Sequence, residues 1–266
     1  MNEPPLVDCH AHVWTRDMPF IDNPRHTPDY DFTAEDYLRQ LDEHGVQLAV
    51  LAGASLFGDY NDYAIETLRR HRRLRGTVVV KPSVERMVLE DMKQNGVVGI
   101  RLMFRGLATL PDISGYEYRR LLRRVRDLGW HVHLHTEGAR LPALIEVLES
   151  AGVTLVIDHF GTPDPRKGIE CDGFRRMIRS IEKGNTWVKL SAGYRIGDTA
   201  AATYARELLR RVGPDRLLWA SDSPFASFES SMSYRKAIED FHAWVPDTLA
   251  RRKIGADNPL RLYFSA

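Results

Sequence analysis

The feature that most constrains the fold is a regular alternation of short apolar segments with longer amphipathic segments. Eight runs rich in apolar and β-branched residues are predicted strands: Leu6–His10, Gln47–Ala52, Thr77–Lys81, Val98–Met103, His131–His135, Thr154–Asp158, Thr186–Leu190 and Leu217–Ser221. Between them, apolar residues recur at helical spacing. Strands connected by helices pair in parallel, because a parallel pair needs a crossover connection.

The first predicted helix begins with Thr33 as its N-cap and ends at Gly45. The others are Ala64–Arg75, Tyr116–Leu128, Leu141–Ser150, Gly173–Lys183, Ala200–Val212 and the chain from Met232 onward, which shows no further strand. The segment Trp14–Phe32 is predicted to be a long loop, either a lid over the strand ends or a flexible surface loop.

Eight strand–helix units in a chain of this length match the repeat number and size of a (β/α)8 TIM barrel. We therefore expect residues 1–266 to form a single domain of this α/β fold. A doubly wound open sheet is the alternative, but it usually has a glycine-rich turn after its first strand. Here that position reads Asp8-Cys9-His10-Ala11-His12, which favours the barrel.

Composition excludes several classes of function. The 37 Lys and Arg residues against 36 Asp and Glu give a net charge of +1, which argues against a dedicated nucleic-acid binder. No apolar run approaches the roughly 18 residues of a membrane span. The start of the chain, Met1–Pro5, lacks the features of a signal peptide. Cys9 and Cys171 make no disulfide framework, so we expect a cytoplasmic protein. The charge balance and the short apolar runs further predict that it binds neither nucleic acid nor membrane.

Reactive side chains recur where predicted strands end, which is where barrel enzymes place their active sites. His10 and His12 end the first strand and, being two residues apart, point to the same side. His135 ends the fifth strand, His159 follows the sixth and Asp222 follows the eighth. As structural alternatives, His159 could cap a loop and Asp222 a helix. The recurrence at four strand ends favours a shared functional site.

Arginines occupy similar positions: Arg101 lies within the fourth strand, Arg105 just beyond it and Arg195 after the seventh. An unpaired cation inside the apolar run Val97–Phe104 would be costly, so Arg101 is predicted to meet a carboxylate of the protein or of a ligand. Arginine binds carboxylates through two parallel hydrogen bonds. Each arginine alone could be a surface ion pair, but several at one barrel mouth predict an anionic small-molecule substrate.

The ordered set of motifs resembles the amidohydrolase superfamily over nearly the whole chain. The segments that carry the resemblance are Val7–Val13, Gly129–Val132, Val156–Gly161 with Pro163-Asp164, Leu218–Pro224 and Asn258–Tyr263. They are most similar to its lactonase branch, and within that branch to the 2-pyrone-4,6-dicarboxylate hydrolases and their sugar-lactonase relatives. The resemblance implies a (β/α)8 barrel that hydrolyses a lactone or another cyclic ester.

The resemblance also implies roles for these side chains. Asp222 would be the general base that activates water and later returns the proton to the leaving oxygen. His10, His12 and His159 would polarise the carbonyl group and stabilise the oxyanion. The remaining expected substrate contacts are Arg101, Arg105, Arg195, Ser55 and His135.

Two departures from the superfamily bear on a metal cofactor. Its two-metal members carry Lys or Glu at the end of the fourth strand, and Gly99–Phe104 contains neither, which argues against a two-metal site. The dicarboxylate hydrolases have a tyrosine where this chain has His135. That histidine completes a set for one divalent ion such as zinc: His10, His12, His135 and Asp222. The resemblance favours catalysis that requires no cofactor, because the surrounding segments are closer to the metal-independent dicarboxylate hydrolases.

Three other functions stay open on the residues alone. One is a sugar lactonase that uses one divalent metal, and another is a zinc-dependent decarboxylase of the same superfamily. The decarboxylases typically have a glutamate near the histidine pair of strand one, and none is adjacent here. The third is a non-catalytic barrel that binds a dicarboxylate, although binding alone requires no ordered base and carbonyl-polarising set.

Overall fold

The computed structural model describes residues 3–265, and within them eight parallel strands alternate with helices. The strands are β1 (Val7–Ala11), β2 (Leu48–Ala52), β3 (Leu74–Val78), β4 (Val97–Met103), β5 (His131–His135), β6 (Thr154–Ile157), β7 (Thr186–Leu190) and β8 (Leu217–Trp219). Each strand pairs with the next in chain order. The sheet closes where the chain after β8 returns to β1, since His12 N donates to Ser223 O and Asp222 N donates to His10 O, each at 2.9 Å. The predicted (β/α)8 barrel is confirmed.

The connecting helices are α1 (Ala34–Glu43), α2 (Asp62–Arg70), α3 (Arg86–Gln94), α4 (Tyr116–Asp127), α5 (Leu141–Ser150), α6 (Asp172–Glu182), α7 (Asp198–Val212), α8 (Tyr234–Trp244) and α9 (Thr248–Arg252). Thr33 caps α1 as predicted, because its hydroxyl accepts from Asp36 N while the Asp36 carboxylate accepts from Thr33 N. Among residues 3–265, no helix is both long enough and apolar enough to cross a membrane.

The third strand–helix unit differs from the sequence prediction. The predicted strand Thr77–Lys81 is wrong by three residues, since β3 spans Leu74–Val78, and the preceding helix ends at Arg70 rather than at Arg75. The reason is Leu74, which fits the helical period of the segment before it but is fully buried in the sheet.

Helix α3 is absent from the sequence prediction. It contributes one buried residue, Leu89, and leaves Met87 and Val88 exposed to solvent. Its sequence is nevertheless amphipathic at helical spacing, so this helix could have been predicted.

Apolar side chains form a layer between sheet and helices and a separate cluster around the barrel interior. The separate cluster consists of Val7, Cys9, Val50, Val156, Trp187, Leu218, Ala220 and Tyr263. Tyr263 lies in the C-terminal turn Leu260–Phe264, and its ring is 5.3 Å from that of His131, the first residue of β5. This turn therefore covers the barrel at the amino ends of the strands, opposite the ends that carry the predicted site.

The buried carboxylate of Asp8 ties the closing edge of the barrel together. It accepts hydrogen bonds from Ser221 N (2.9 Å), Ser221 Oγ (2.5 Å), Tyr37 OH (2.9 Å) and Tyr234 OH (3.0 Å). These partners come from α1, α8 and the segment after β8. Asp8 thus fixes the position of the strand that carries His10 and His12.

Candidate active site

A cleft at the carboxyl ends of the strands collects the predicted site residues. Its inner chamber is lined by His12, Ser55, Arg101, His135, His159, Arg195 and Asp222, together with residues of the loop after β1. An outer chamber, lined by Arg105, shares Ser55 and His135 with the inner one. His10 lies directly behind His12, with 3.3 Å between their Nε2 atoms. All nine candidate residues therefore lie at the same end of the barrel.

Asp222 is the centre of the inner chamber. Its Oδ1 lies 3.6 Å from Nε2 of both His10 and His12, and 3.7 Å from Nε2 of His159. Its Oδ2 accepts hydrogen bonds from Tyr194 OH (2.6 Å) and Arg195 Nε (2.9 Å). Burial raises the pKa of Asp222, but the surrounding histidines and Arg195 lower it, and the net pKa lies well below the usual range of an aspartate. Asp222 is therefore a carboxylate at neutral pH.

Two of the candidate residues adopt a left-handed backbone conformation. Asp222 has φ of 66° and His159 has φ of 50°. For residues other than glycine this region costs on the order of 1–3 kcal/mol and is enriched at functional sites. The hydrogen bond from Asp222 N to His10 O holds the strained segment after β8 against β1.

Lys189, the fourth of the five residues of β7, organises the floor of the site. Its Nζ is fully buried and lies 2.9 Å from Asp158 Oδ1, 2.9 Å from His10 Nδ1 and 3.0 Å from His133 Nδ1. The contact with Asp158 is an ion pair, and an ammonium group has N–H donors and no acceptor, so both histidine nitrogens accept from Lys189. His10 Nδ1 consequently accepts, and the proton of the neutral His10 ring resides on Nε2.

His12 is oriented from its other side. Its Nδ1 lies 2.7 Å from the carbonyl oxygen of Ala52, which can only accept, so Nδ1 carries the proton and Nε2 presents a lone pair. The 3.3 Å contact between the two rings is then a hydrogen bond from His10 Nε2 to His12 Nε2. The result is a directed chain of donors from Lys189 through His10 and His12 to Ala52 O.

The buried histidines of the site are neutral at neutral pH. Burial lowers the pKa of His10 well below its usual value, with Lys189 and Arg101 adding to the effect. Burial likewise lowers the pKa of His159 to about 4. His135 is shifted in the same direction, first by burial and then by His159. Neutral rings match the tautomers derived for this site, in which each nitrogen is either a donor or an acceptor.

Arg101 meets a carboxylate of the protein, that of Asp158. Its Nε donates to Asp158 Oδ2 at 2.9 Å and its Nη1 donates to Gly53 O at 2.8 Å. Burial raises the pKa of Asp158, but Lys189 and Arg101 lower it to a value well below the usual range. Arg101 thereby compensates a buried charge and lines the inner chamber at the same time.

The residues also bear on whether one divalent ion fits. His10, His159 and Asp222 each place a potential ligand atom within 4.8 Å of the others, and imidazole and carboxylate groups suit zinc. His10 Nε2 carries a proton, however, and releasing it would require a proton on the nitrogen that faces Lys189. Geometry thus brings His10, His159 and Asp222 together, but the tautomer of His10 opposes an ion at this set. His135 lies outside this set and lines both chambers, with its ring centroid 5.0 Å from that of His159.

The long loop after β1 covers part of the cleft. Its ends, Trp14 and Phe32, exchange two backbone hydrogen bonds of 2.9 and 3.0 Å. Between them, Arg25 and His26 line the inner chamber. Tyr30 OH donates to Glu229 at 2.7 Å, which links the loop to the segment after β8. The loop thus contributes side chains to the site, as expected for the lid alternative.

Several of these residues are missing from the sequence-based list of candidates. Lys189 is a cation in an otherwise apolar strand, the same signal that singled out Arg101, and it could have been found that way. Tyr194 precedes the candidate Arg195 and hydrogen-bonds to Asp222. Arg25 lies in a loop, where no periodicity shows the direction of a side chain.

A (β/α)8 barrel with reactive side chains at the ends of several strands defines a barrel enzyme. The match with known proteins gives the family: residues 7–264 fit the amidohydrolase family model, and the chain belongs to that family. The resemblance found in the sequence is confirmed.

Three similar proteins illustrate the relationship. One is a 2-pyrone-4,6-dicarboxylate hydrolase from Comamonas testosteroni, 28% identical over 97% of this chain and 90% of the relative. The second, a 4-sulfomuconolactone hydrolase from Hydrogenophaga intermedia, is 27% identical over 96% and 88%. The third is a crystal structure of a probable 2-pyrone-4,6-dicarboxylic acid hydrolase from Acinetobacter baumannii with citric acid bound. It is 31% identical over the full length of both chains, with a TM-score of 0.93.

Proposed function

We propose that this protein hydrolyses a small carboxylated lactone of the 2-pyrone-4,6-dicarboxylate type, with Asp222 as the base that activates water. The observation that carries the proposal is the position of Asp222 Oδ1, which faces Nε2 of His10, His12 and His159. The names of the relatives support a lactone as substrate, and the citric acid bound to the similar Acinetobacter structure supports a carboxylated one.

In the proposed reaction, Asp222 accepts a proton from water while the water oxygen attacks the carbonyl carbon of the lactone. The negative charge that develops on the carbonyl oxygen is stabilised by the proton on His10 Nε2, which this oxygen then shares with His12 Nε2 in a three-centre hydrogen bond. The bond between the carbonyl carbon and the ring oxygen then breaks. Asp222 returns its proton to that oxygen, which gives a ring-opened hydroxy acid or its keto tautomer.

The arginines bind the carboxylates of the substrate. Within residues 3–265, Arg101 donates from Nε and Nη1 to Asp158 and Gly53, which leaves its Nη2 for a ligand. Arg195 lies against Asp222 and donates from Nη2 to Ala226 O at 3.2 Å. It holds the reacting carboxylate in place and presents positive charge beside it. Ser55 and His135 contact the substrate where the two chambers join.

We further propose that hydrolysis requires no metal. The proton on His10 Nε2 provides the polarisation of the carbonyl that a Lewis acid would otherwise supply, and Lys189 keeps it there. A divalent ion, when bound, would be held by His10, His159 and Asp222, with loss of the His10 Nε2 proton, and would supply Lewis acidity. Metal analysis of freshly purified protein tests this, since stoichiometric zinc together with chelator-sensitive activity would contradict metal-independent hydrolysis.

The decisive experiment is Asp222→Asn. Asparagine cannot accept a proton, so we expect loss of lactone hydrolysis with an unchanged circular dichroism spectrum. Asp22→Asn, at an exposed position of the loop after β1, is the matched control and should keep full activity. Retained turnover in Asp222→Asn would remove the proposed base. Release of carbon dioxide instead of a ring-opened acid would identify a decarboxylase.

A further inference from the structure

The two oxygens of the Asp222 carboxylate have different surroundings. Oδ1 faces the Nε2 atoms of the three histidines, at 3.6 to 3.7 Å. Oδ2 instead contacts the turn Gly193–Arg195 after β7, where the hydroxyl of Tyr194 lies at 2.6 Å and Nε of Arg195 at 2.9 Å. Tyr194 thus touches the proposed base through the oxygen that does not face the histidines.

Tyr194 is a neutral phenol and donates its proton to this hydrogen bond. Burial raises its pKa, and the negative charge of Asp222 raises it further against the opposing effect of Arg195. An ionised carboxylate can only accept, and each of its oxygens has about two lone pairs. Since Tyr194 and Arg195 both donate to Oδ2, the lone pairs of that oxygen are occupied.

Packing fixes the position of the Tyr194 hydroxyl. The ring lies between two aromatic side chains, with its centroid 4.9 Å from that of Phe228 and 6.0 Å from that of Phe225. The preceding residue, Gly193, packs so closely on Trp244 of α8 that a side chain at this position would clash with the indole ring. The ring and the backbone of Tyr194 are therefore both held by close contacts, and the hydroxyl has little freedom to leave Asp222.

The segment after β8 depends on contacts of this kind. Asp222, Phe225 and Ser227 have φ of 66°, 67° and 69°, a left-handed conformation that is unfavourable for residues other than glycine. Such conformations persist only where surrounding contacts hold them. Tyr194 contributes its hydrogen bond to Asp222, and Arg195 also donates to a backbone oxygen of this segment at 3.2 Å.

On the basis of the proposed function, we infer that Tyr194 is a positioning residue that makes Oδ1 the only oxygen of Asp222 to take up and return the catalytic proton. As the water oxygen bonds to the carbonyl carbon, one water O–H bond breaks and the Oδ1–H bond forms. The Oδ1–H bond breaks again when the ring oxygen leaves and takes the proton. Among the residues that the structure describes, Tyr194 lines neither chamber, so it acts through Asp222 and not on the substrate.

The kinetic test is Tyr194→Phe, which keeps the packed ring and removes only the donor. We expect kcat for a lactone of the 2-pyrone-4,6-dicarboxylate type to fall about 10- to 100-fold, because a hydrogen bond to a charged group is lost and Oδ2 becomes free to compete for the proton. KM should stay within about threefold, since no contact to the substrate changes.

Two further variants at matched positions complete this test. Replacing Tyr194 by 4-aminophenylalanine restores an N–H donor at the same place and should recover most of the lost kcat. Tyr118→Phe, at a half-buried position on α4, is the control and should keep full activity. An unchanged kcat in Tyr194→Phe, a loss confined to KM, or a loss that 4-aminophenylalanine does not recover would overturn the positioning role.

Infrared spectroscopy provides a readout that does not depend on turnover. The carboxylate band that is missing in Asp222→Asn belongs to Asp222, and it should shift in Tyr194→Phe but not in Tyr118→Phe. A band that does not shift rejects the contact on which the inference rests.

The same variants separate failure of the inference from failure of the proposed function. If Asp222→Asn is inactive while Tyr194→Phe keeps full kcat, the proposed function stands and the positioning role is wrong. If the wild-type protein hydrolyses no lactone but the Asp222 band shifts in Tyr194→Phe, the proposed function fails and the catalytic role of Tyr194 fails with it, although the contact itself is confirmed.

Discussion

At the scale of single residues, two groups fix the direction of the hydrogen bonds made by His10 and His12, because one can only donate and the other can only accept. The Lys189 ammonium can only donate and the Ala52 carbonyl can only accept, so the rings of His10 and His12 between them have defined tautomers. His10 therefore directs a proton toward the reaction centre, although it is fully buried and neutral. A buried lysine with no contact to the substrate thus sets the chemistry of the histidine in front of it.

Replacing Lys189 tests this role. In Lys189→Met, His10 Nδ1 loses its donor and faces Asp158 Oδ1 at 3.4 Å, which favours a proton on Nδ1. We expect kcat to fall about 10- to 100-fold with little change in KM, because His10 no longer donates to the carbonyl oxygen.

The tautomer itself is measurable by ¹⁵N NMR of the histidine side chains, a readout that loss of stability alone would not change. The spectrum should show His10 protonated at Nε2 in the wild-type protein and at Nδ1 in Lys189→Met. Lys167→Met, at an exposed position, is the control and should leave both the spectrum and kcat unchanged. An unaltered His10 tautomer in Lys189→Met would contradict the positioning role.

The sequence predicts the residues of the site better than their partners. His12, His159 and Asp222 follow strands, and parallel strands place their carboxyl ends together, so their convergence can be expected from chain order. The pairing of Arg101 with Asp158 and the hydrogen bond of Tyr194 to Asp222 depend on side-chain directions across different strands. Those directions are set by packing, which a single sequence does not show.

At the scale of elements, one partly exposed edge between two helices depends on a single carboxylate. Glu149 near the end of α5 accepts from both terminal nitrogens of Arg176 (3.1 and 2.8 Å), from Ser180 Oγ (2.6 Å) and from Lys183 Nζ (2.7 Å), all on α6 or directly after it. The hydrogen bond from Arg176, followed by those from Lys183 and Ser180, outweighs the effect of burial and lowers the pKa of Glu149 to about 2. The two helices are thus joined by an ionised side chain.

This pKa gives stability a predictable pH dependence. Since the folded pKa is below the usual value of 4.5, the contribution of Glu149 is fully present above pH 4.5 and disappears as the pH falls toward 2. We expect Glu149→Gln to lower the free energy of unfolding at pH 7 by about 1–2 kcal/mol, allowing for solvent screening. The difference between variant and wild type should shrink progressively on acidification.

Urea unfolding at several pH values measures the effect. Glu146→Gln on the same helix is the control, because Glu146 is exposed and its side chain has no hydrogen bond or ion pair among residues 3–265. A difference between Glu149→Gln and wild type that stays constant from pH 7 to pH 3 would contradict the assigned pKa.

Two elements, β3 and α3, are assigned correctly only when their neighbours in the barrel are considered. Leu74 satisfies both a helix and a strand, and its burial in β3 is decided by the neighbouring strands. Helix α3 has only a narrow buried face, so its position follows from the need to connect β3 to β4 in parallel. By contrast, the bounds of α5 and β5 match the prediction.

At the scale of the whole molecule, one end of the barrel carries the candidate site and the other end is closed by packing. The carboxyl ends of the strands hold the charged site, and the amino ends are covered by the C-terminal turn with Tyr263. The alternation of strands and helices in the sequence was sufficient to predict this architecture, because eight crossover units leave few other ways to pair the strands. The packing of the C-terminal turn against β5 has no periodic signal and is visible only in the structure.

The contribution of the C-terminal turn to the free energy of unfolding can be measured through Tyr263. Its side chain is nearly fully buried, its ring packs on His131 and His133, and its hydroxyl lies 3.4 Å from His133 Nε2. We expect Tyr263→Ala to lower the free energy of unfolding by about 3–5 kcal/mol, as for other large buried aromatic residues. Urea unfolding measures the loss. Tyr116→Ala, whose side chain is 66% exposed, is the control, and equal effects of both substitutions would contradict the role of Tyr263.

During folding, the active site forms only when the segment after β8 pairs with β1 and closes the barrel. The hydrogen bonds from Ser221 to Asp8 join residues 213 positions apart, and the same edge brings His10 and His12 to Asp222. Contacts between residues so distant in sequence carry a large loop-closure entropy and are slow to form. A folding intermediate with β2 to β7 in place would have most of the sheet and no reaction centre. On refolding, the rate at which activity returns therefore reports the rate of barrel closure, and not the rate at which the sheet forms.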